Sequence, residues 1–478
     1  MLGGLFGKKN RTKNSEKAGS EAPKQPAKNA AKSASAAQSK NSSAASSATK
    51  TSQKKTAPAP KAKPWTLDQY VVPEQEGKTR FHDLGLDLNL VHAIADLKYE
   101  YCSDIQAESL PHTLLGHDVI GKAQTGTGKT AAFLITIIND LIKRPIPDAD
   151  RYASEPRALI LAPTRELAMQ IEKDAISLTK YAPVAVYSVV GGIDYQRQRD
   201  FVHNQVFDIL VATPGRLIDF LNSGELYLDQ LDFLVIDEAD RMLDMGFIPD
   251  VKRILSRCPK VDRRQTLMFS ATFNDDVMNL SKRWTLNPIN IEIEPESLTT
   301  DRVEQKVFMV PADEKLEIIC RYIEVNKVTK AIVFGNRRDE TRRLEATLKK
   351  RGVKAALLSG EVPQPKRIKT LEQFKSGQIE ILVATDVAGR GIHVDGVSHV
   401  FNYNLPEDAE DYVHRIGRTG RANETGVSIS FACEDDAFLL PEIEKYIGMK
   451  LHCEYPDYLL DGDKAKSADG DKAKPSGE

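Results

Sequence analysis

The sequence predicts an α/β protein of two tandem domains, each a parallel sheet flanked by helices, set between disordered termini. Three observations carry this. Short apolar runs recur at Ala158–Pro163, Ala185–Val190, Asp208–Thr213, Phe233–Ile236 and Thr266–Ser270, with helical spacing between several of them, as in Leu167, Ile171, Ala175 and Leu178. Past Glu296 the pattern restarts, at Lys306–Val310, Lys330–Gly335, Ala355–Ser359, Ile379–Ala384, His399–Tyr403 and Val427–Ala432. From Lys8 to Pro64 there is no Leu, Ile, Val, Phe, Tyr or Trp, so that stretch has too little apolar area to offset the entropy of ordering it. The reading gives a basic arm over 1–64, a first domain over 65–296, a second over 297–458 and a polar tail over 459–478. The joint is expected near Glu294–Arg302, and the tail carries Asp-Gly-Asp-Lys-Ala-Lys twice, at Asp461–Lys466 and Asp469–Lys474.

Charge is unevenly spread. The 478 residues carry a net charge of −2. Residues 1–64 hold 14 Lys and Arg against 2 Asp and Glu, so the arm is at +12 and the remainder at −14. An arm of that kind is either a solubilising tail or a polycation that touches phosphates without sequence preference. The five cysteines, Cys102, Cys258, Cys320, Cys433 and Cys453, lie far apart with no C-x-x-C, which argues against zinc and for a reducing, cytoplasmic setting. No apolar run approaches the length of a membrane span, so no membrane partner is expected.

The stretch that organises the chain is Ala123-Gln124-Thr125-Gly126-Thr127-Gly128-Lys129-Thr130. An apolar approach, Asp118-Val119-Ile120, precedes it, and Phe133, Ile137 and Leu141 follow at helical spacing. A strand, a glycine-rich turn and a helix N-terminus make a phosphate cradle: backbone N–H groups curl round phosphate oxygens where the helix dipole favours negative charge. Lys129 would reach the β/γ-phosphates and the Thr130 hydroxyl would ligate Mg²⁺. Taken alone, the loop also fits an ordinary glycine turn. A second acidic block, Asp237-Glu238-Ala239-Asp240, follows the apolar run Phe233–Ile236, where strand C-terminal ends line a ligand crevice. Asp237 would hold Mg²⁺ through its waters, and Glu238 would orient the attacking water and take its proton.

Asp237-Glu238-Ala239-Asp240 spells the name of the DEAD-box RNA helicases, and the chain resembles that family from about Phe81 to about Cys433. Further blocks match in family order: Pro163-Thr164-Arg165-Glu166-Leu167-Ala168, Gly191-Gly192, Thr213-Pro214-Gly215-Arg216, Ser270-Ala271-Thr272, Val333-Phe334-Gly335-Asn336, Gln364-Pro365-Lys366-Arg367, Ala384–Gly391, and His414-Arg415-Ile416-Gly417-Arg418-Thr419-Gly420-Arg421. The resemblance implies two RecA-like domains, ATP as nucleotide with Mg²⁺, and RNA as partner. It implies that Gln106 pairs with adenine and Phe81 stacks on it, that Asp386 touches the ribose, and that Arg418 and Arg421 act as arginine fingers on the γ-phosphate from the second domain. Asp240, Ser270, Thr272 and His414 would couple domain closure to RNA. Pro163, Thr164, Arg165, Gly191, Gly192, Thr213, Gly215 and Arg216 would meet the RNA backbone from the first domain, and Gln364, Arg367, Thr385 and Arg390 from the second.

Four positions depart from the family pattern: Lys98 where Gly is usual, Cys102 where Pro is usual, and His393 and Asn404 where Asp is usual. Cys102, His393, Asn404 and the stretch Tyr412-Val413-His414-Arg415 resemble the RhlB branch of bacterial DEAD-box helicases, which implies work with an RNA-degrading complex and its endonuclease. The expectation is therefore an RNA-dependent ATPase that separates short RNA duplexes locally. An ATP-gated RNA clamp with little unwinding and a DNA helicase of the same superfamily are the alternatives.

Overall fold

The computed structural model describes residues 65–123, 126–293, 303–389, 392, 394, 396–420 and 425–460. The expected arm, the inter-domain joint and the residues from 461 on lie outside them. The first lobe's strands are β1 (Val119–Lys122), β2 (Ala158–Leu161), β3 (Val186–Val189), β4 (Ile209–Ala212), β5 (Phe233–Ile236), β6 (Gln265–Ser270) and β7 (Ile289–Glu292). They form one parallel sheet in the order β3-β4-β2-β5-β6-β1-β7. The second lobe's strands are β8 (Val303–Met309), β9 (Ala331–Phe334), β10 (Ala355–Leu358), β11 (Ile381–Ala384), β12 (His399–Asn402), β13 (Gly426–Ala432) and β14 (His452–Glu454). Their order, β10-β11-β9-β12-β13-β8-β14, repeats the first with every strand advanced by seven. The two lobes are thus tandem RecA-like sheets flanked by helices.

Each sheet is buried on both faces, which is why its strands read as unbroken apolar runs rather than alternations. In β5, Phe233 and Val235 enter one core while Leu234 and Ile236 enter the other. In β9, Ala331 and Val333 divide from Ile332 and Phe334 in the same way. The edge strands β7 and β14 were not expected from the sequence. Both are short and largely open to solvent, so neither needs an apolar run. Leu459, expected in the tail, is buried in the second lobe's core at the end of the helix Asp457–Leu460.

The lobes belong to one compact unit and meet along two seams of opposite character. On one, Glu166 Oε1 accepts from Arg367 Nε at 2.9 Å and from Gln364 Nε2 at 3.1 Å, while Arg165 Nη1 donates to Gln364 Oε1 at 3.3 Å. On the other, helix Ala239–Asp244 faces helix Ala409–Ile416. There Glu410 feels Asp240 and Asp244 across the seam and Asp408 on its own side, with Arg241 as countercharge and His414 Nε2 at 3.7 Å. Burial first, then those carboxylates, push Glu410 up to about 7.

The sign of the linkage follows. A carboxyl whose folded value lies above its ordinary one near 4.3 holds its proton longer in the folded protein, so its contribution is intact below that ordinary value and is lost as pH rises through about 7. Glu410→Gln removes this loss. Its melting temperature should gain on the wild type between pH 5 and pH 8 by about 1–3 °C, a small shift because the half-exposed group is partly screened. Melting curves at the two pH values check this; a difference that does not change with pH refutes it.

Candidate active site and nucleic-acid interface

The order β5-β6-β1 places three C-terminal strand ends side by side, and each delivers one motif. After β1 the chain turns through Gly126 and Gly128, both at left-handed φ (91° and 97°), into the helix Lys129–Lys143. Gly128 is needed twice over. Its φ suits only glycine without strain, and a Cβ there would run into Gln106 Nε2 and Ser103 Oγ. Lys129 is buried and donates to Ala123 O at 2.7 Å. Gln124 and Thr125 lie outside the described residues.

After β5 come the acids. Asp237 is 2 % exposed, and its Oδ1 accepts from Glu238 N at 3.0 Å. Burial, opposed by Lys129 and reinforced by Glu238, holds its carboxyl well above the usual range. Glu238 sits at φ 51°, a left-handed conformation that costs a non-glycine residue energy, and its Oε2 is buried with no hydrogen-bond partner. An orphaned buried acceptor beside a raised carboxyl fits a hydrated cation. Among the described residues no group of three or more His, Cys, Asp or Glu could hold a metal by itself. Mg²⁺ does not require one, because it binds through one or two carboxylates, substrate phosphates and its own waters.

After β6, Ser270 and Thr272 meet Asp240. Ser270 Oγ accepts from Asp240 N at 3.3 Å, and Asp240 Oδ2 accepts from Ala271 N at 2.8 Å and Thr272 N at 3.0 Å. His414 is placed on the second lobe's helix with Asp411 Oδ1 3.8 Å from its Nδ1; burial lowers its pKa.

Lys129, Thr130, Asp237 and Glu238 line a cavity of about 870 Å³, and Arg418 of the second lobe lines the same cavity. Arg418 Nη1 donates to Ile392 O at 2.9 Å, which fixes its plane. Gly126, Thr127 and Gly128 are on this wall too; Ala123 is buried behind it, and Arg421 lies outside the described residues. Gln106 is also on the wall, with Oε1 accepting from Ser103 N and Nε2 donating to Gly128 O, each at 3.0 Å. An amide has two donors and two acceptor sites, so one of each is left for a ligand.

Three residues assigned to ligands from the sequence stand off the cavity wall in this structure. Phe81 is wholly buried in the first core and is not among the cavity's lining residues; Tyr99, 6.2 Å from it ring to ring, lines the cavity instead. Asp386 is not on that wall either, since Arg415 takes both its oxygens at 2.6 Å. Arg367 is buried, and beyond Glu166 it donates to Ser359 O and Ala388 O, so in this structure it braces the seam. The sequence reading also passed over Lys173, Asp174, Lys330 and Lys375 on the cavity wall, which no local motif marks.

The remaining residues assigned to RNA gather at the ends of β2, β3, β4 and β11 and beside the Glu166 seam. Thr164 caps the helix Arg165–Leu178 by accepting from Leu167 N at 3.3 Å, behind buried Pro163. Arg165 is exposed and lies against Gly191 and Gly192, where a Cβ on Gly192 would strike its guanidinium and press on Gln364. Arg216 donates to Ile193 O at 3.1 Å and lies over the Tyr195 ring, with Gly215 exposed and Thr213 buried beside it. Thr385 is buried at the end of β11, and Arg390 lies outside the described residues.

Comparison with known proteins agrees with this arrangement. The DEAD/DEAH box helicase family matches residues 103–280, and the helicase conserved C-terminal domain matches residues 314–423. The ATP-dependent RNA helicase RhlB of Pseudomonas putida is 58 % identical over 391 residues, covering 82 % of this chain and 98 % of that protein. RhlB of Shewanella baltica is 48 % identical, covering 77 % of this chain and 84 % of that one. Among solved structures, S. cerevisiae Dbp5 bound to RNA and ADP BeF3 superposes with a TM-score of 0.69 at 29 % identity, covering 82 % of this chain and 98 % of that one. The DEAD-box helicase Mss116 bound to ssRNA and UDP-BeF gives 0.71 at 30 %, covering 84 % and 85 %. With both helicase domains matched in order and such identity over nearly the whole length of its relatives, the chain belongs to the DEAD-box ATP-dependent RNA helicases, in their RhlB branch.

Proposed function

We propose that this protein closes its two lobes on ATP and single-stranded RNA, and that closure separates short RNA duplexes locally, in the service of RNA degradation in the cytoplasm. The observation that carries the reading is the shared cavity: Lys129, Asp237 and Glu238 from one lobe and Arg418 from the other face one space. Solved relatives hold RNA together with a nucleotide, and the curated relatives bear the RhlB name.

Lys129 turns from Ala123 O to the β/γ-phosphates, and Gln106 offers its remaining donor and acceptor to adenine. Thr130 and Asp237 would hold Mg²⁺, which supplies charge neutralisation on the phosphate oxygens when bound. Glu238 orients a water with its unpartnered Oε2 and takes one of its protons as the water oxygen bonds to the γ-phosphorus. The bond to the β–γ bridging oxygen breaks, leaving ADP and phosphate. Arg418 and Arg421 stabilise the charge that builds on the γ-phosphoryl oxygens. Arg165, Gly191, Gly192, Thr213, Gly215 and Arg216 in the first lobe, with Gln364, Thr385 and Arg390 in the second, grip backbone phosphates and 2′-hydroxyls without reading bases. A strand bent to fit both lobes no longer fits an A-form duplex, so its complement leaves.

ATP turnover should rise with poly-RNA and not with DNA, and Lys129→Ala should abolish it by removing the countercharge to the phosphates; stimulation by DNA equal to that by RNA refutes the choice of substrate. Glu238→Gln should trap a closed complex with ATP and RNA, because the water is not activated while the charge-binding groups remain. Slow RNA release in a chase experiment checks this, and release at the wild-type rate contradicts it. Deleting residues 1–64 should weaken RNA binding and flatten its salt dependence by several charges, read from binding constants across a salt series. An unchanged slope reduces the arm to a spacer. A strand-displacement assay with and without ATP separates this function from that of a clamp.

A further inference from the structure

The basic arm ends in Lys61-Ala62-Lys63-Pro64, and the next residue is Trp65, one of two tryptophans in the chain. The other, Trp284, is buried in the first lobe. Trp65 is half-buried and belongs to neither of that lobe's apolar cores. Its indole stacks on His92 with ring centroids 4.5 Å apart and planes 10° apart. His92 stacks in turn on Tyr181, at 3.6 Å and 1°. Three parallel rings thus form a column on the first lobe, outside the cavity and outside the turns assigned to RNA above. Aromatic side chains that pack only for burial favour offset or edge-to-face contacts over the face-to-face stack of His92 and Tyr181. Parallel stacking is how a nucleobase meets an aromatic side chain.

The column has a fixed end and an open one. Tyr181 Oη and Lys180 Nζ both donate to Asp96 Oδ2, at 2.6 and 2.5 Å, and Lys180 Nζ stands 4.9 Å from the Tyr181 ring centroid. His92 and Asp96 share the helix Leu88–Asp96, so one element and one carboxylate hold the two inner rings. At the other end, among the described residues, Trp65 has no ring against it but that of His92, and its Nε1–H makes no hydrogen bond.

Charge names the occupant. Residues 1–64 carry +12 against −14 for the remainder, and that positive charge joins the lobe at Trp65 itself. The nearest acid on the column, Asp96, is already paired with Lys180. A cationic track beside an aromatic face is the construction that holds single-stranded nucleic acid without reading its sequence.

We infer that Trp65 is a base-stacking platform for single-stranded RNA: an unpaired base lies on its outer face and lengthens the column, while the arm's lysines meet the neighbouring phosphates. The site stands apart from the groove between the lobes, so it keeps a strand on the protein when the lobes part. The inference rests on the RNA partner proposed above and adds a second place where that partner is held.

The test uses the full-length protein without nucleotide, carrying Trp284→Phe so that Trp65 is its only tryptophan. The probes are an oligoadenylate of about 12 nucleotides and an abasic ribose-phosphate strand of the same length. Trp65 emission is read, with occupancy taken separately from the anisotropy of end-labelled strands. At equal occupancy the oligoadenylate should quench the emission by about a third or more, and the abasic strand by less than about a tenth. In the otherwise wild-type chain, Trp65→Ala should weaken oligoadenylate binding about fivefold or more, and Trp65→Phe should stay within about threefold of wild type. Neither should change the salt dependence, because no charge is removed. Emission that both strands quench alike or not at all, or a smaller loss in Trp65→Ala, overturns the inference and leaves the column as an anchor for the arm. Should Trp284→Phe fail to fold, the difference in emission between the wild type and Trp65→Phe decides by the same comparison of strands. If the wild-type protein binds neither strand, the proposed function fails rather than this site.

Discussion

The architecture depends on an electrostatic constraint: cations from two separately folded lobes face one cavity. Lys129 stands on one side and Arg418, Lys330 and Lys375 on the other, with Lys98 and Lys173 on the rim. Like charges brought together in a partly dry space repel, and the acids that share the wall, Glu100, Asp174, Asp237 and Glu238, do not match their number. A polyanion between the lobes turns that repulsion into attraction toward a common centre. Under the function proposed above, the triphosphate is both substrate and adhesive, and its loss after hydrolysis returns the lobes to mutual repulsion at this edge. The same logic explains why Lys129 leans on a backbone carbonyl rather than on Asp237: the carbonyl holds the ammonium near its working place without neutralising the carboxylate.

The fold supplies this constraint by repetition. Two sheets with one strand order each present β-to-α turns along one rim. In the first lobe the phosphate turn, the acids and the Ser270 turn follow three adjacent strands, so their spacing is set by inter-strand distance and not by flexible side chains. The left-handed Glu238 is the visible strain in this rim. It is tolerated because Asp240 on the next turn is held by three groups from the β6 loop, which locks the helix start in place.

Much of this was legible in the sequence because burial on both faces writes strands as apolar runs, and because Gly128-Lys129-Thr130 and Asp237-Glu238 need particular residue types at fixed offsets. What escaped was whatever depends on a partner far along the chain. No local pattern announces that Phe81 is buried in the first core with Tyr99 on the cavity wall, or that Asp386 pairs with Arg415 and Arg367 with Glu166. Residue type states what a group can bind; only tertiary structure states which of several competent partners reaches it. β7 and β14 escaped for the opposite reason, since an edge strand with an open side needs no distinctive sequence at all.

The two seams between the lobes then acquire distinct meanings. Beside the RNA-facing turns, Glu166, Arg367 and Gln364 satisfy one another, and a buried pair with its hydrogen bonds made resists separation. Beside the shared cavity, Glu410 stands against Asp240 and Asp244 with Arg241 as its countercharge, while the two terminal nitrogens of that guanidinium make no hydrogen bond, so the seam is incompletely satisfied in both signs of charge. A junction satisfied at one edge and frustrated at the other is pivoted rather than clamped. Under the function proposed above, binding or losing a γ-phosphate changes the charge at the frustrated edge, and a swing about the satisfied edge would carry that change to the groove where RNA would lie.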